Sequence, residues 1–259
     1  MRRHFDAILW SVFGTVGPTM AEIVATLDDL AGESGCCARR PERVGSLVTC
    51  GVYRERLSSL IRHGKYRSDC RPFRELGRRL AIEFMAGSTI DLETPAASWV
   101  VVPVPQHPLR SSHRGIDHAM ELARAFAKEI RLPVVRWLRR RWGATQVGRG
   151  VVARRRVSSS VASRRNALRE VAGMRSQAGF PPGAILIDDV VITGATLSSC
   201  ARILENLGVS SNHAAAACVT ENWCGGIVHH SSTRPPQGGL ETGSAPQGRF
   251  RSVFSDETG

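Results

Sequence analysis

Between residues 184 and 220 the chain sets a strand, a turn, a helix and a second strand in close order, and this unit restricts the fold more than anything else. Ala184-Ile185-Leu186-Ile187 is a short, wholly apolar run suited to a strand buried on both faces of a parallel sheet, and it ends in Asp188-Asp189. A Gly/Thr turn leads into a helix with apolar positions Leu197, Ala201, Leu204 and Leu207, closed by Gly208 as its C-terminal cap. His213 to Thr220 is a small-residue strand. Upstream, Ser98 to Val104 is a β-branched run bounded by prolines, Ile116, Met120, Ala123, Phe126 and Ile130 fall at helical spacing, and Leu132 to Val135 reads as a second strand. Alternation of this kind predicts an α/β fold with a mostly parallel sheet flanked by helices.

The rest of the chain is less ordered in pattern. Leu57, Leu60 and Ile61, then Phe73, Leu76, Leu80 and Phe84, give two helices separated at Pro72. Residues 1–50 are poorly patterned, with a partly buried N-terminal helix expected in the uncharged run from Ala7 to Ala21; Asp6, Gly14, Gly17 and Pro18 argue against a secretory signal there. The main α/β domain is expected to occupy 51–228. The stretch 229–259, rich in Ser, Pro, Gln and Gly, is expected to be a disordered tail.

The net charge of +12 has a definite address: Arg131 to Arg169 contains twelve arginines and no acid, so the remaining basic and acidic residues cancel. Gly143, Gly148, Gly150 and Ser158-Ser159-Ser160 interrupt this segment, which reads as a long mobile loop. Seven cysteines, irregularly spaced in a chain long enough to build a core, fit reduced thiols and a cytoplasmic setting; no segment suits a membrane span.

The turn after the first strand carries the chemistry. Ligands of open α/β sheets bind outside the carboxyl ends of the strands, so Asp188 and Asp189 face a crevice. Ile192-Thr193-Gly194-Ala195-Thr196 opens a helix, whose first N–H groups and positive dipole end favour a phosphate. Thr193 and Thr196 add hydroxyl donors, while Gly194 and Ala195 leave room for the anion. Paired carboxylates suit the hydroxyls of a polyol, so the ligand expected is a sugar phosphate. Singly, an acid pair can cap a helix and Thr-Gly-Ala-Thr can be only a turn; their order points to function.

This stretch resembles the signature of type I phosphoribosyltransferases, and within them the chain is similar to the ComF family of competence-associated proteins. The likeness also draws on Gly51-Val52-Tyr53 through Ile61 to Lys65-Tyr66, on Val102-Pro103-Val104-Pro105 through His107 to Arg114-Gly115, and on Gln146 with Arg164-Arg165-Asn166. It implies that Asp188 and Asp189 hold the ribose hydroxyls of phosphoribosyl pyrophosphate (PRPP), that 192–196 hold its 5′-phosphate, and that magnesium accompanies it. Pro105, Arg114, Gln146, Arg164, Arg165 and Asn166 would serve the pyrophosphate and the lid, with Lys65 and Arg114 as catalytic candidates. The implied activity is displacement of pyrophosphate through an oxocarbenium-like state.

Three departures from the family pattern bear on turnover more than on binding. Ile192 stands where the family has threonine and where some relatives place an acidic base; it can neither donate a hydrogen bond nor move a proton. Asp117-His118 replace an Asn-Gln pair, and the span from Gln146 to Arg164 is longer. Many relatives carry a zinc ribbon, but Cys36, Cys37, Cys50 and Cys70 lack any Cys-x-x-Cys spacing, so structural zinc is not expected; the looser set Cys218, Cys224, His229 and His230 is read likewise. The alternative function is a non-catalytic protein of DNA uptake, its arginine segment binding nucleic acid with Trp137 and Trp142 stacking on bases.

Overall fold

The computed structural model describes residues 17–29, 34–87, 90, 99–106, 116–140, 161–179, 181–224 and 227–228. In chain order its elements are α1 (Met20–Asp29), β1 (Gly35–Cys37), β2 (Leu47–Thr49), α2 (Glu55–Arg67), α3 (Arg71–Gly87), β3 (Trp99–Pro103), α4 (His118–Ile130), β4 (Leu138–Arg140), β5 (Val161–Ser163), α5 (Ala167–Ala178), β6 (Gly183–Val191), α6 (Ala195–Asn206), β7 (Ser211–Val219), α7 (Glu221–Cys224) and β8 (Ile227–Val228). His107, Arg114, Trp142, Gln146, His229, His230 and the tail 229–259 lie outside the described residues.

Six strands form one sheet in the order β3-β6-β7-β2-β1-β8, with β3, β6, β7 and β2 parallel and β1 and β8 added antiparallel at one edge. Side chains alternate across a strand, and here the alternation sorts the core into two layers. Val100, Val102, Ala184, Leu186, Ala214 and Ala216 face α5 and α6, meeting Ala167, Val171, Leu197 and Leu204. Val101, Ile185, Ile187, Ala215 and Ala217 face α1 to α4, meeting Ile23, Leu60, Phe73, Leu76, Phe84 and Phe126. Both faces of the parallel strands are covered, which is why their sequences are apolar without alternation. Close approach in the second layer depends on Gly77, where a Cβ would lie 2.6 Å from the carbonyl oxygen of Leu122.

The structure differs from the sequence reading in four places. The strand read as ending at Asp188-Asp189 continues to Val191, because Val190 and Val191 keep pairing with Cys218 and Val219 after β3 has turned away at Pro103. Sheet strands begin at Gly35 rather than after residue 50: β1 and β2 complete the β7 edge, with Cys36 paired to Val228 and Cys50 buried beneath α3. The expected strand at 132–135 is a single parallel bridge, Val134 to Val101. The arginine segment, read as one loop, contains ordered ends: β4 and β5 pair antiparallel, and α5 follows. Leu138 and Val161 hold this ribbon to the core beside Trp137. No helix among the described residues is long and apolar enough to cross a membrane.

Candidate functional site

The overhang of β6 makes the site. Its last pairing with β3 is Ile187 to Pro103, and the N–H of Val104 donates to the carbonyl of Ile187 at 2.8 Å; beyond that point β6 has a neighbour on the β7 side only. Asp188 and Asp189 occupy this free edge. Being consecutive in a strand, they present to opposite faces of the sheet rather than side by side. Asp189 receives Lys65 of α2, Nζ to Oδ2 at 2.6 Å, with both side chains mostly buried. The lysine singled out on the helix before Tyr66 is thus brought to the acid pair from far away in sequence. Asp188 stands on the side of Cys200 and Arg140, whose charge acts on it.

The environment of Asp188 is electrostatically uncomfortable. It keeps some access to solvent, yet burial, followed by the negative charge of Asp189, pushes its pKa up to about 7. The Asp189 N–H donates to Asp188 Oδ1 at 2.8 Å, and Lys65 and Arg140 offset the shift in part. A group that titrates near neutrality in a crevice responds to any bound cation or hydroxyl array. Cys200 and Cys218, buried against these acids, have their thiols driven well above the ordinary range by burial, which rules out a thiolate nucleophile at either position.

Past the acids, Ile192 to Thr196 form the expected turn. Gly194 is the N-cap of α6 at φ 69°, a left-handed conformation that favours glycine. Thr193 Oγ1 accepts a hydrogen bond from the Ala195 N–H at 3.4 Å, and Thr220 Oγ1 donates to the Ile192 carbonyl at 3.2 Å. Ile192 is 64% exposed, so its apolar side chain projects outward where a threonine hydroxyl would otherwise stand. Beneath the turn lies Trp223 of α7: a Cβ on Gly194 would sit 2.6 Å from its Cζ2 and 3.3 Å from Pro41. The Arg39 guanidinium covers the same indole at 5.7 Å. No local pattern marks Trp223, Pro41 or Arg39, since only tertiary packing joins them to the turn.

Arginines line the neighbouring surface. A cavity of about 240 Å³ is bounded by Pro105, Gln106, Asp117, Arg139, Arg140 and Arg164, among others, and Arg140 Nε donates to the Pro105 carbonyl at 2.9 Å. A second, of about 720 Å³, is lined by Arg136, Arg139, Arg164, Arg165, Asn166 and Glu170. Arg136, Arg139 and Arg164 therefore border both, whereas Arg165 and Asn166 border only the larger. Arg140 was not singled out within the arginine run; the period of two in β4 is the signal that turns it toward Pro105. Asp117 is the N-cap of α4, accepting from the Met120 N–H at 3.2 Å, and His118 is buried against Phe73, ring centroids 4.5 Å apart. Trp137 is fully buried with Nε1 donating to Glu170 at 2.8 Å, and so is no platform for stacked bases.

A mostly parallel α/β sheet covered on both faces carries two carboxylates and a helix-opening turn at the free end of β6, the position at which open-sheet folds receive their ligands. No protein-family model and no curated protein matches the chain. Among solved structures, glutamine PRPP amidotransferase from B. subtilis, complexed with ADP and GMP, aligns at 15% identity and TM-score 0.34. A structure described as the allosteric regulatory enzyme of purine biosynthesis aligns at 17% and 0.34. In each case 56% of this chain is covered, and it spans a quarter (25%) of the other chain's length.

Proposed function

We propose that the chain is a phosphoribosyltransferase-like protein that binds PRPP at the carboxyl end of β6. The observation that carries this reading is the sequence of groups along one edge: the acid pair on the unpaired end of β6, Lys65 on one side and Arg140 on the other, then the Gly194 turn opening α6. Carboxylates accept hydrogen bonds from neighbouring hydroxyls, and the turn offers N–H donors to a phosphate ester. The smaller arginine-lined cavity beside Pro105 takes the pyrophosphate, and Arg114, outside the described residues, is assigned to it by resemblance.

Magnesium fits this donor set. It prefers hard oxygen ligands, keeps several waters, and is commonly held by one or two carboxylates together with substrate phosphates. Asp188 and Asp189 are such carboxylates, and a cation near them would offset the burial and, after it, the repulsion from Asp189 that raise Asp188. When bound with PRPP, the metal would neutralise charge on the departing pyrophosphate. Lys65 holds Asp189 in place meanwhile, and Arg140 steadies the loop at Pro105. Transfer of the phosphoribosyl group, and membership of the ComF family, belong to the same proposal. Ile192 limits the acceptor to one that needs no general base at that position.

Thermal unfolding with PRPP and Mg²⁺ tests the reading. A ligand at a hundred times its Kd adds about 2.7 kcal/mol, which raises Tm by roughly 5–10 °C for a protein of this size. The shift is expected for the natural chain and not for Asp188→Asn/Asp189→Asn. An unmoved Tm in millimolar PRPP and Mg²⁺ overturns it. The nucleic-acid alternative retains the exposed arginines but loses Trp137, and it requires an affinity that falls steeply with salt.

A further inference from the structure

We propose that the cavity of about 720 Å³ between the β4–β5 ribbon and the start of α5 is a second anion site, built for a triphosphate chain and separate from the acid-pair crevice. Among the described residues, four arginines line it, Arg136, Arg139, Arg164 and Arg165, against one carboxylate, Glu170, for a net charge of +3 from these side chains. That carboxylate is already engaged by the Trp137 indole at 2.8 Å, which fixes it to the cavity wall. Among the described residues, Arg164 and Arg165 take part in no ion pair, and Arg136 meets only Asp117, at 3.4 Å. A guanidinium has five donors and no acceptor, so such a wall is satisfied by a ligand that supplies acceptors alone, and phosphate oxygens match it two at a time.

The backbone of the wall is anchored to the core. Arg139 Nε donates to the Ser163 carbonyl at 3.1 Å, the Arg164 N–H donates to the Trp137 carbonyl at 2.7 Å, and the ribbon beneath is anchored by Leu138, Val161 and the buried Trp137. Asn166 is the N-cap of the 12-residue helix α5, yet its side chain makes no capping hydrogen bond and lines the cavity. The first N–H groups of α5 and its positive dipole end therefore open beside the arginines. A concave pocket ringed by guanidinium groups suits a compact polyanion such as inorganic triphosphate or a nucleoside 5′-triphosphate.

The large cavity shares Arg136, Arg139 and Arg164 with the smaller one, and the proposal takes Arg165 and Asn166, which the family resemblance gave to the pyrophosphate and lid, as the residues that separate the two. Arg165 and Asn166 border the large cavity alone, and the acid pair borders neither cavity. The full chain is titrated calorimetrically with inorganic tripolyphosphate, alongside Arg165→Glu, Asn166→Asp and Asp188→Asn/Asp189→Asn. Tripolyphosphate is expected to bind the natural chain and the acid-pair variant alike, and to bind Arg165→Glu at least about tenfold more weakly, since a charged hydrogen-bond donor is replaced by a like charge. Arg165 lies exposed in a turn, and an unchanged melting curve confirms that the variant folds. ATP binding as tightly as tripolyphosphate identifies the phosphate chain as the recognised part; tighter ATP binding adds the nucleoside to it. No binding by the natural chain, wild-type affinity in Arg165→Glu, loss of affinity confined to the acid-pair variant, or a single-stranded oligonucleotide outcompeting tripolyphosphate would each overturn the proposal. Loss of PRPP binding only in the acid-pair variant, with tripolyphosphate retained, distinguishes the two sites.

Discussion

Replacing Gly194 by alanine puts a methyl group into the most tightly supported point of the turn. Its φ of 69° costs a non-glycine residue ~1–2 kcal/mol, and the added Cβ would lie 2.6 Å from Trp223 Cζ2, well inside contact distance. Forcing an indole that is only 5% exposed to shift is an overpacking event worth about 1–3 kcal/mol. Together these give a loss of about 2–5 kcal/mol, or roughly 4–20 °C in Tm. Circular-dichroism melts of Gly194→Ala, Trp223→Ala and the double variant separate the two causes. With the indole gone, only the conformational cost should remain, so the second substitution should cost less in the Trp223→Ala background than alone. Gly173→Ala is the control: nothing lies within 4 Å of its added methyl, and a helical Gly→Ala change should stabilise by ~0.5–1 kcal/mol. A Gly194→Ala protein melting within 1 °C of the natural chain would refute the picture of a turn propped from below.

Two further outcomes follow from the site. Asp188 is raised in the folded state from 3.8 to about 7, so the folded protein binds this proton more tightly; stability is lost as pH rises through that window, and above it the folded state carries the full cost of a buried charge. Asp188→Asn should therefore be more stable than the natural chain by a few kcal/mol at pH 8 and by almost nothing at pH 4, as denaturant titrations at both pH values would show; a gain that shrinks with rising pH would contradict the assignment. Ile192→Thr should tighten PRPP binding by ~3- to 10-fold by adding one hydroxyl donor at an exposed position, read by calorimetry, and an unchanged Kd would mean that backbone N–H groups alone hold the phosphate.

Which parts could be read in advance depended on how locally they are encoded. β3, β6 and α4 are written in unbroken apolar runs or helical stripes, and they stand within a few residues of where the pattern puts them. β1 is Gly35-Cys36-Cys37, three residues with no pattern; it is a strand only because Val48 and Val228 pair with Cys36. The acids and the turn were evident as a motif, but their arrangement was not. Ending the strand at Asp189 conceals the period of two that sends the carboxylates to opposite faces, a fact that follows once β7 is known to run on to Val219. Lys65 was legible only through resemblance, and Trp223 not at all. Within the arginine run, composition announced the charge, whereas the distinction between Arg140 at Pro105 and Arg165 at the larger cavity needed the ribbon.

The prop under the turn also orders events in time. During synthesis the turn at Gly194 emerges before the indole that supports it, and Pro41, made long before, can reach it only after β2 has docked on β7. Chains fold as they emerge, but a contact between distant segments waits for its later partner. The support of the turn is therefore complete only once the chain has been made through Trp223 and β2 has paired with β7. On the proposed PRPP reading, a ligand at that turn would meet a scaffold already assembled from both ends of the chain.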